Sequence, residues 1–435
     1  MKAEDLIGLA EEKDVRFVNL QFSDLFGVPK NLSIPVGGLP GVLARGAVFD
    51  GSSIEGFVRT EESDMLLVPD AETFLLLPWR QQGRTARVIC DVHADGAPFE
   101  GDPRFVLKKA IAEATAMGYT LNVGAECEFF LFHQDSSGIP TTQTQDDAGY
   151  FDLAPIDMGE EARRDICLTL EEMGFEIEAS HHECAAGQHE IDLLPQEALC
   201  AADSIVTFKA AVKTIAKRHG MHATFLPKPL TDAPGSGLHL NLTLCRGSEN
   251  AFAATEGISP TAKQFIAGVF SHIGAITALA NPLVNSYKRL VSGAEAPLYI
   301  AWASQNSSPL IRVPAHSGAD TCIELRSPDP ACNPYLAIAA ILAAGIDGIR
   351  RGLTPPPGAQ GNIMAMTDEQ RAALGIGSLP TSLYEAVKAL RRDELILDLI
   401  GGHIAEKYID AKTLEWERYS NTVHQWELDQ YLRAY

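Results

Sequence analysis

The sequence predicts an α+β protein, with a small, mostly β domain in front of a larger domain of strands and long helices. Three observations carry that expectation. Two alternating apolar runs flank a turn near the N-terminus, later strands carry polar residues at every second position, and capped helical patterns separate those strands. At 435 residues there is length for about two or three domains. Hydrophobic residues at 46% and charged residues at 21% exclude a disordered, collagenous or disulfide-built chain.

Taken in order, Met1–Asp14 reads as a polar amphipathic helix with no apolar signal core. Phe17, Val18, Leu20 and Phe22, then Leu32 and Ile34, flank Asp24-Leu-Phe-Gly-Val-Pro29 and predict a β-hairpin. A strand over 86–93 closes the mostly β part at about residue 95. Asp102 as N-cap and Pro103 at the first helical position start a helix that stops at Gly118. Helical patterns recur at 203–219, 261–280 and 334–351, the last capped by Asn333, and again from about Thr381. Between them strands are expected over 121–132, 176–194, 238–244, 310–313 and 321–326.

The formal charge of −22, from 35 basic and 57 acidic side chains, speaks against a nucleic-acid partner, since no surplus cation neutralises phosphates. The most apolar stretch, 335–346, is shorter than the ~20 residues that span a bilayer. Eight scattered cysteines without a CxxC pair predict reduced thiols. A soluble, cytoplasmic protein without a membrane partner is expected.

The chemistry lies in the alternation. Glu126 and Glu128 share one strand face while Cys127, Phe129 and Leu131 take the other. His239, Asn241 and Thr243 share a face against four leucines, and Cys322, Glu324 and Arg326 share another. His182-Glu183 and His189-Glu190 add carboxylates around Gly187. Alternation in one strand means no more than one wet face. Four strands whose wet faces hold acids and a histidine, with almost no lysine, need a counter-charge, and a divalent metal is the usual one. Oxygen ligands with one imidazole suit Mg²⁺ or Mn²⁺ better than Zn²⁺. Lys288, Arg289, Arg312 and Arg326 lie close by in sequence, so metals plus arginines suggest phosphoryl transfer, while the lack of GxxxxGK[ST] excludes a P-loop. The pair His181-His182 reads as structural rather than as a general base.

Together these motifs resemble a known family. Phe49-Asp-Gly-Ser-Ser-Ile54, Glu126-Cys-Glu-Phe129, His181-His-Glu183 with Gly187-Gln-His-Glu190, and Lys228-Pro with Gly235-Ser-Gly-Leu-His239 fit it. So do Asn285-Ser-Tyr-Lys-Arg-Leu290, Glu295-Ala-Pro297, Glu324-Leu-Arg326, Asp329-Pro and Asn333-Pro-Tyr335. The chain resembles type I glutamine synthetase of the short class found in Gram-positive bacteria, from about residue 15 to the C-terminal tyrosine.

The resemblance implies a β-grasp domain over 1–97 and a catalytic domain over 98–435, with an antiparallel sheet flanked by helices. It implies a dodecamer of two stacked hexameric rings with active sites shared between neighbours. ATP, glutamate and ammonium are the implied substrates, with two or three Mg²⁺ or Mn²⁺ ions per site, and regulatory proteins stand as further partners. Residue by residue, Glu128, Glu183 and Glu190 match the first metal site, and Glu126, His239 and Glu324 the second, which holds the nucleotide phosphates. Arg289 and Arg326 match the arginines gripping glutamate, Gly235 lies in the loop closing on it, and Glu128 borders it. Asp50 from an adjacent subunit and Glu295 on a flap match the ammonium-binding acids. Arg312 matches a phosphate-binding arginine, with Asn241 and Thr243 toward the nucleotide. The implied activity is glutamate–ammonia ligation through γ-glutamyl phosphate.

The chain departs from the family pattern at Ser307 and Cys322, where arginines are usual, and at Pro234, where asparagine is usual. Two rival readings follow. Ala294, where a bulkier residue is common, fits a γ-glutamyl ligase for a larger amine. Ser307 and Cys322 fit a weakly active or non-catalytic homologue that binds nucleotide, glutamate or a regulator, although His316 offers some of the missing charge. Control by adenylylation is not expected, because Gly361-Asn-Ile-Met-Ala365 contains no tyrosine. Arg59 falls at a position used for feedback inhibition by glutamine in the Gram-positive class.

Overall fold

The structure, a computed structural model, describes residues 3–57, 64–79, 83–291, 296–304, 306, 308–315 and 318–435. Helix α1 (Ala3–Glu12) leads into strands β1 (Phe17–Ser23) and β2 (Pro29–Pro35), which pair antiparallel with Phe17 opposite Pro35. Their turn closes because Asp24 Oδ1 accepts from the backbone N–H groups of Phe26 and Val28. Helix α2 (Leu39–Arg45) and strands β3 (Ala47–Asp50), β4 (Asp64–Pro69), β5 (Leu75–Leu76), β6 (Thr85–Ala94) and β7 (Ala97–Pro98) follow. The sheet runs β2-β1-β6-β4-β3, with β1 parallel to β6, and has its own core around Val18, Leu20, Leu67 and Val88.

Helix α3 (Pro103–Ala116) begins where the sequence predicts, with Asp102 capping the N–H of Arg104. Strands β8 (Thr120–Gln134) and β9 (Pro140–Thr144) precede helix α4 (Glu160–Glu172). Then come β10 (Ile177–His182), β11 (Gln188–Glu197), α5 (Ala198–Arg218), β12 (Met221–Thr224), β13 (Leu238–Arg246) and β14 (Glu249–Asn250). Helices α6 (Pro260–Ala280) and α7 (Ser286–Arg289) lead to β15 (Tyr299–Ile300), β16 (Trp302–Ser304), β17 (Ile311–Val313) and β18 (Ile323–Leu325). Helices α8 (Pro334–Arg351) and α9 (Asp368–Ala373), strand β19 (Gly377–Ser378), and helices α10 (Leu383–Leu390), α11 (Glu394–Ser420) and α12 (Gln425–Tyr431) complete the chain.

The large sheet runs β10-β11-β8-β13-β18-β17-β16 and is antiparallel except between β16 and β17. Helices α3, α5, α6 and α8 pack on its apolar face, where Cys127, Phe129, Leu131 and the four leucines of β13 are buried. The span 176–194, expected as one strand, is instead a hairpin of β10 and β11 that reverses between Glu183 and Gly187. Helix α4 was not expected either. Ala162, Ile166 and Leu170 face inward at helical spacing, but the fourth buried position is Arg163, which breaks the apolar pattern.

Two features fix how the layers meet. A Cβ on Gly268 would lie 2.0 Å from the carbonyl oxygen of Ala344, and one on Gly348 would lie 2.1 Å from that of Gln264, so α6 and α8 touch backbone to backbone. Arg104, buried, donates to Asp203 through two nitrogens, to Asp91 at 2.7 Å and to Asp70 at 2.8 Å. That fork ties the N-terminal sheet to α3 and α5.

Candidate active site

Strand register brings the acids together. Across β8 and β11, Glu128 lies opposite Glu190 and Glu126 opposite Asp192. Across β8 and β13, Glu126 lies opposite His239, and Glu324 of β18 lies opposite Asn241 and Arg312. Because the side-chain period is two, all these groups leave the same face of the sheet. That face borders a cavity of about 800 Å³ whose wall includes Glu126, Glu128, Glu183, Glu190, Gly235, His239, Arg289, Arg312 and Arg326. Glu324 is fully buried behind the lining residues Arg312 and Arg326, which both bond it.

His239 Nδ1 is 3.0 Å from Glu126 Oε2 and 3.6 Å from Glu324 Oε1, and its Nε2 is 3.7 Å from Glu128 Oε1. Burial pushes the Glu126 carboxyl up, but the hydrogen bond and charge of His239 outweigh it and bring it down to about 2. Glu190 behaves in the opposite way. Burial, and then the charges of Glu128, Asp192 and Glu183, push it far above the usual carboxylate range. Glu128 Oε2 accepts from Gln188 Nε2 at 2.8 Å and from the Gly237 N–H at 3.1 Å, which orients its other oxygen.

The arginines divide their work. Arg312 Nη1 donates to Glu324 Oε2 at 2.8 Å, and Arg326 Nη1 donates to Glu324 Oε1. Arg289 spends Nη1 on the carbonyls of Ser327 and Pro328 and Nη2 on that of Arg326, so it braces the loop after β18 while reaching the cavity wall. Cys322 is half-buried, and burial, then the charges of Glu324 and Glu126, raise its thiol to about 11. At neutral pH it is uncharged.

Besides the fully buried Glu324, three of the described residues expected at the site do not line the cavity. Asn241 donates Nδ2 to Glu126 Oε1 at 2.7 Å and so supports a wall residue. Thr243 lies further along β13, opposite Asn122. Asp50 is exposed at the end of β3, where its Oδ1 accepts from the backbone N–H of Ser52 at 2.9 Å and from its hydroxyl at 2.6 Å. Glu295, Ala294, Arg59, Ser307 and His316 lie outside the described residues. Tyr150, His181, Asn306, Ser308, Asn362 and Met364 also line the cavity and were not expected there. His181 thus parts company with His182, which is buried.

The donor set fits divalent cations. Ligand atoms of Glu126, His239 and Glu324 lie within 4.8 Å of one another, and Asp192 Oδ1 is buried without a hydrogen-bond partner beside them. The burial and the charges of Glu128, Asp192 and Glu183 that push Glu190 upward are what a bound divalent cation relieves.

A family model described as "Glutamine synthetase, catalytic domain" matches residues 100–431, and one described as "Glutamine synthetase, beta-Grasp domain" matches residues 14–95. The chain is 55% identical over 437 residues to "Glutamine synthetase" of Clostridium saccharobutylicum, covering 99% of each chain. It is 55% identical over 438 residues to "Glutamine synthetase" of Staphylococcus aureus strain Mu50, covering 99% of this chain and 98% of that one. Among solved structures it superposes on "GmaS/ADP complex-Conformation 1" with a TM-score of 0.90 at 34% identity, over 99% of this chain and 100% of that chain. The cryo-EM structure of Plasmodium falciparum glutamine synthetase gives a TM-score of 0.89 at 25% identity, over 99% of both chains.

Proposed function

Because the chain belongs to the glutamine synthetase family, we infer that it is a ligase condensing L-glutamate with ammonia to L-glutamine as ATP goes to ADP and phosphate. The observation that carries this reading is one cavity in which Glu126, Glu128, Glu183, Glu190 and His239 face Arg312 and Arg326. Neither rival reading gains a specific observation.

Glu128, Glu183 and Glu190 would hold one Mg²⁺ or Mn²⁺, and Glu126, His239 and Glu324 would hold a second. Such cations, when bound, neutralise the oxygens of the transferring phosphoryl group. Arg312, whose side chain is 37% exposed toward the cavity, adds donors to that group. Arg326 and Arg289, with the Gly235 loop and Glu128, place glutamate so that its side-chain carboxylate oxygen attacks the γ-phosphorus. The bond to ADP breaks and γ-glutamyl phosphate forms. Asn241 and Thr243 continue the same strand face toward the nucleotide. Asp50 of an adjacent subunit and Glu295 attract ammonium and take its proton. Ammonia then attacks the acyl carbon and phosphate leaves.

The two separate cores support a β-grasp domain over 1–97 and a catalytic domain over 98–435. Exposed apolar side chains concentrate over 150–158 and 423–435, including Leu153, Ile156, Leu432 and Tyr435, and support assembly into a dodecamer. No described helix is long and apolar enough to cross a membrane. The spread of cysteines supports a cytoplasmic location.

Phosphate release from ATP with Mg²⁺ and glutamate tests the reading, with ammonium, methylamine or no amine added. Release that requires ammonium is expected. Preference for methylamine would move the protein to a larger-amine ligase, and release with no amine would contradict the reaction altogether.

A further inference from the structure

Behind the hairpin that carries Glu183 and Glu190 lies a second polar cluster. Asp146, Asp157, His182 and His189 bring four ligand atoms within 4.8 Å of one another, the grouping of a metal site. The side chains of all four are buried.

A different cation already occupies the middle. Arg163 Nη1, from α4, donates to Asp157 Oδ2 at 2.7 Å and to His189 Nδ1 at 2.9 Å. A ring nitrogen that accepts from a guanidinium carries its lone pair there, so the proton of neutral His189 sits on Nε2. That nitrogen is 3.1 Å from the Gln145 side-chain amide, which also donates to Asp146 Oδ2 at 3.3 Å. His189 therefore has no lone pair left for a metal. A Cβ on Gly159 would stand 2.5 Å from its Cε1 and Nε2, so the ring rests directly on backbone.

The cluster grips the hairpin at both ends. His182 Nδ1 donates to the carbonyl of Glu183 at 2.7 Å, and its Nε2 meets Asp146 Oδ1 at 3.3 Å. The same Asp146 oxygen accepts the Gly187 N–H at 2.8 Å, while Asp146 Oδ2 accepts that of Met158 at 3.2 Å. His182 and His189 immediately precede Glu183 and Glu190, and they face each other across the pair β10–β11.

We propose that Arg163 is a positioning residue for the first metal site, an internal cation that, with Asp157, His189, His182 and Asp146, locks the hairpin so that Glu183 and Glu190 enter the cavity facing Glu128. The inference rests on reading those three glutamates as ligands. Its test needs no turnover, so failure of the ligase reaction and failure of the lock are told apart.

The measurement is Mn²⁺ binding to the intact, assembled protein, followed by electron paramagnetic resonance. Arg163→Met is expected to weaken the tightest Mn²⁺ about tenfold or more, the usual effect of losing a partner behind a ligand, and Arg163→Lys to lose less. A Met variant that is folded and binds Mn²⁺ within twofold of the parent overturns the proposal, even if its thermal midpoint falls. Should that variant fail to assemble, Asp157→Asn, which keeps the volume, is held to the same twofold limit.

Discussion

Charge sets the behaviour of single residues at this site. His239 draws Glu126 down, whereas burial and the charges of Glu128, Asp192 and Glu183 push Glu190 up. Glu190→Gln replaces a carboxyl that folding forces to stay protonated, so Mn²⁺ titration is expected to show weaker binding together with a higher thermal midpoint of the metal-free protein. In the proposed reaction Arg312 acts on charge that develops as the phosphoryl group moves. Arg312→Ala is therefore expected to lower kcat by about 10³ with the glutamate KM little changed, as steady-state kinetics would show. Most of these groups were legible in the sequence, because a period of two assigns Glu126, Glu128, His239 and Glu324 to a wet face without reference to the rest of the fold. Tyr150, His181, Asn306 and Met364 were not, since they reach the cavity from loops or strand ends whose position depends on long-range packing.

At the scale of elements, backbone contacts and caps decide where helices lie. Asp102 and Asn333 marked two helix starts in the sequence, and both accept the backbone N–H two residues on. The hairpin at 177–197 was read as one strand because its turn carries no proline and its flanks are rich in strand-compatible residues. Helix α4 was hidden because a buried arginine interrupts its apolar face. Gly268→Ala would push a methyl group into the Ala344 carbonyl, and thermal melting is expected to show a loss of about 3 kcal/mol. His272 of α6 joins Asp393, the N-cap of α11, at 2.8 Å and Asp347 of α8 at 3.3 Å. The hydrogen bond it donates to Asp393 raises its pKa above the ordinary 6.5, against the opposing effect of burial. A raised folded pKa means that the stabilisation is complete below pH 6.5 and is lost as pH rises through the folded value. Thermal midpoints of His272→Gln, measured from pH 6 upward, are expected to fall less steeply with pH than those of the parent.

Across the whole molecule, the N-terminal sheet and the large sheet are joined by a buried ion network, and the cavity sets Glu126, Glu128, Glu183 and Glu190 against Arg289, Arg312 and Arg326. Asp203 takes both a bidentate bond from Arg104 and the hydroxyl of Tyr335 at 2.7 Å. Asp203→Ala is expected to cost about 3–5 kcal/mol, because it strips a buried guanidinium of its main partner, and differential scanning calorimetry would record the loss. The two-domain α+β plan was legible from patterning, whereas this network was not, because its charged members are separated by up to 133 residues, between Asp70 and Asp203, and carry no local signal. The most direct test of the central claim uses glutamate labelled with ¹⁸O in its side-chain carboxylate, with ATP, Mg²⁺ and ammonium. Attack of that carboxylate on the γ-phosphorus predicts one labelled oxygen in each phosphate released, formed together with glutamine. Phosphate carrying no label would contradict transfer to glutamate, and with it the account of the site.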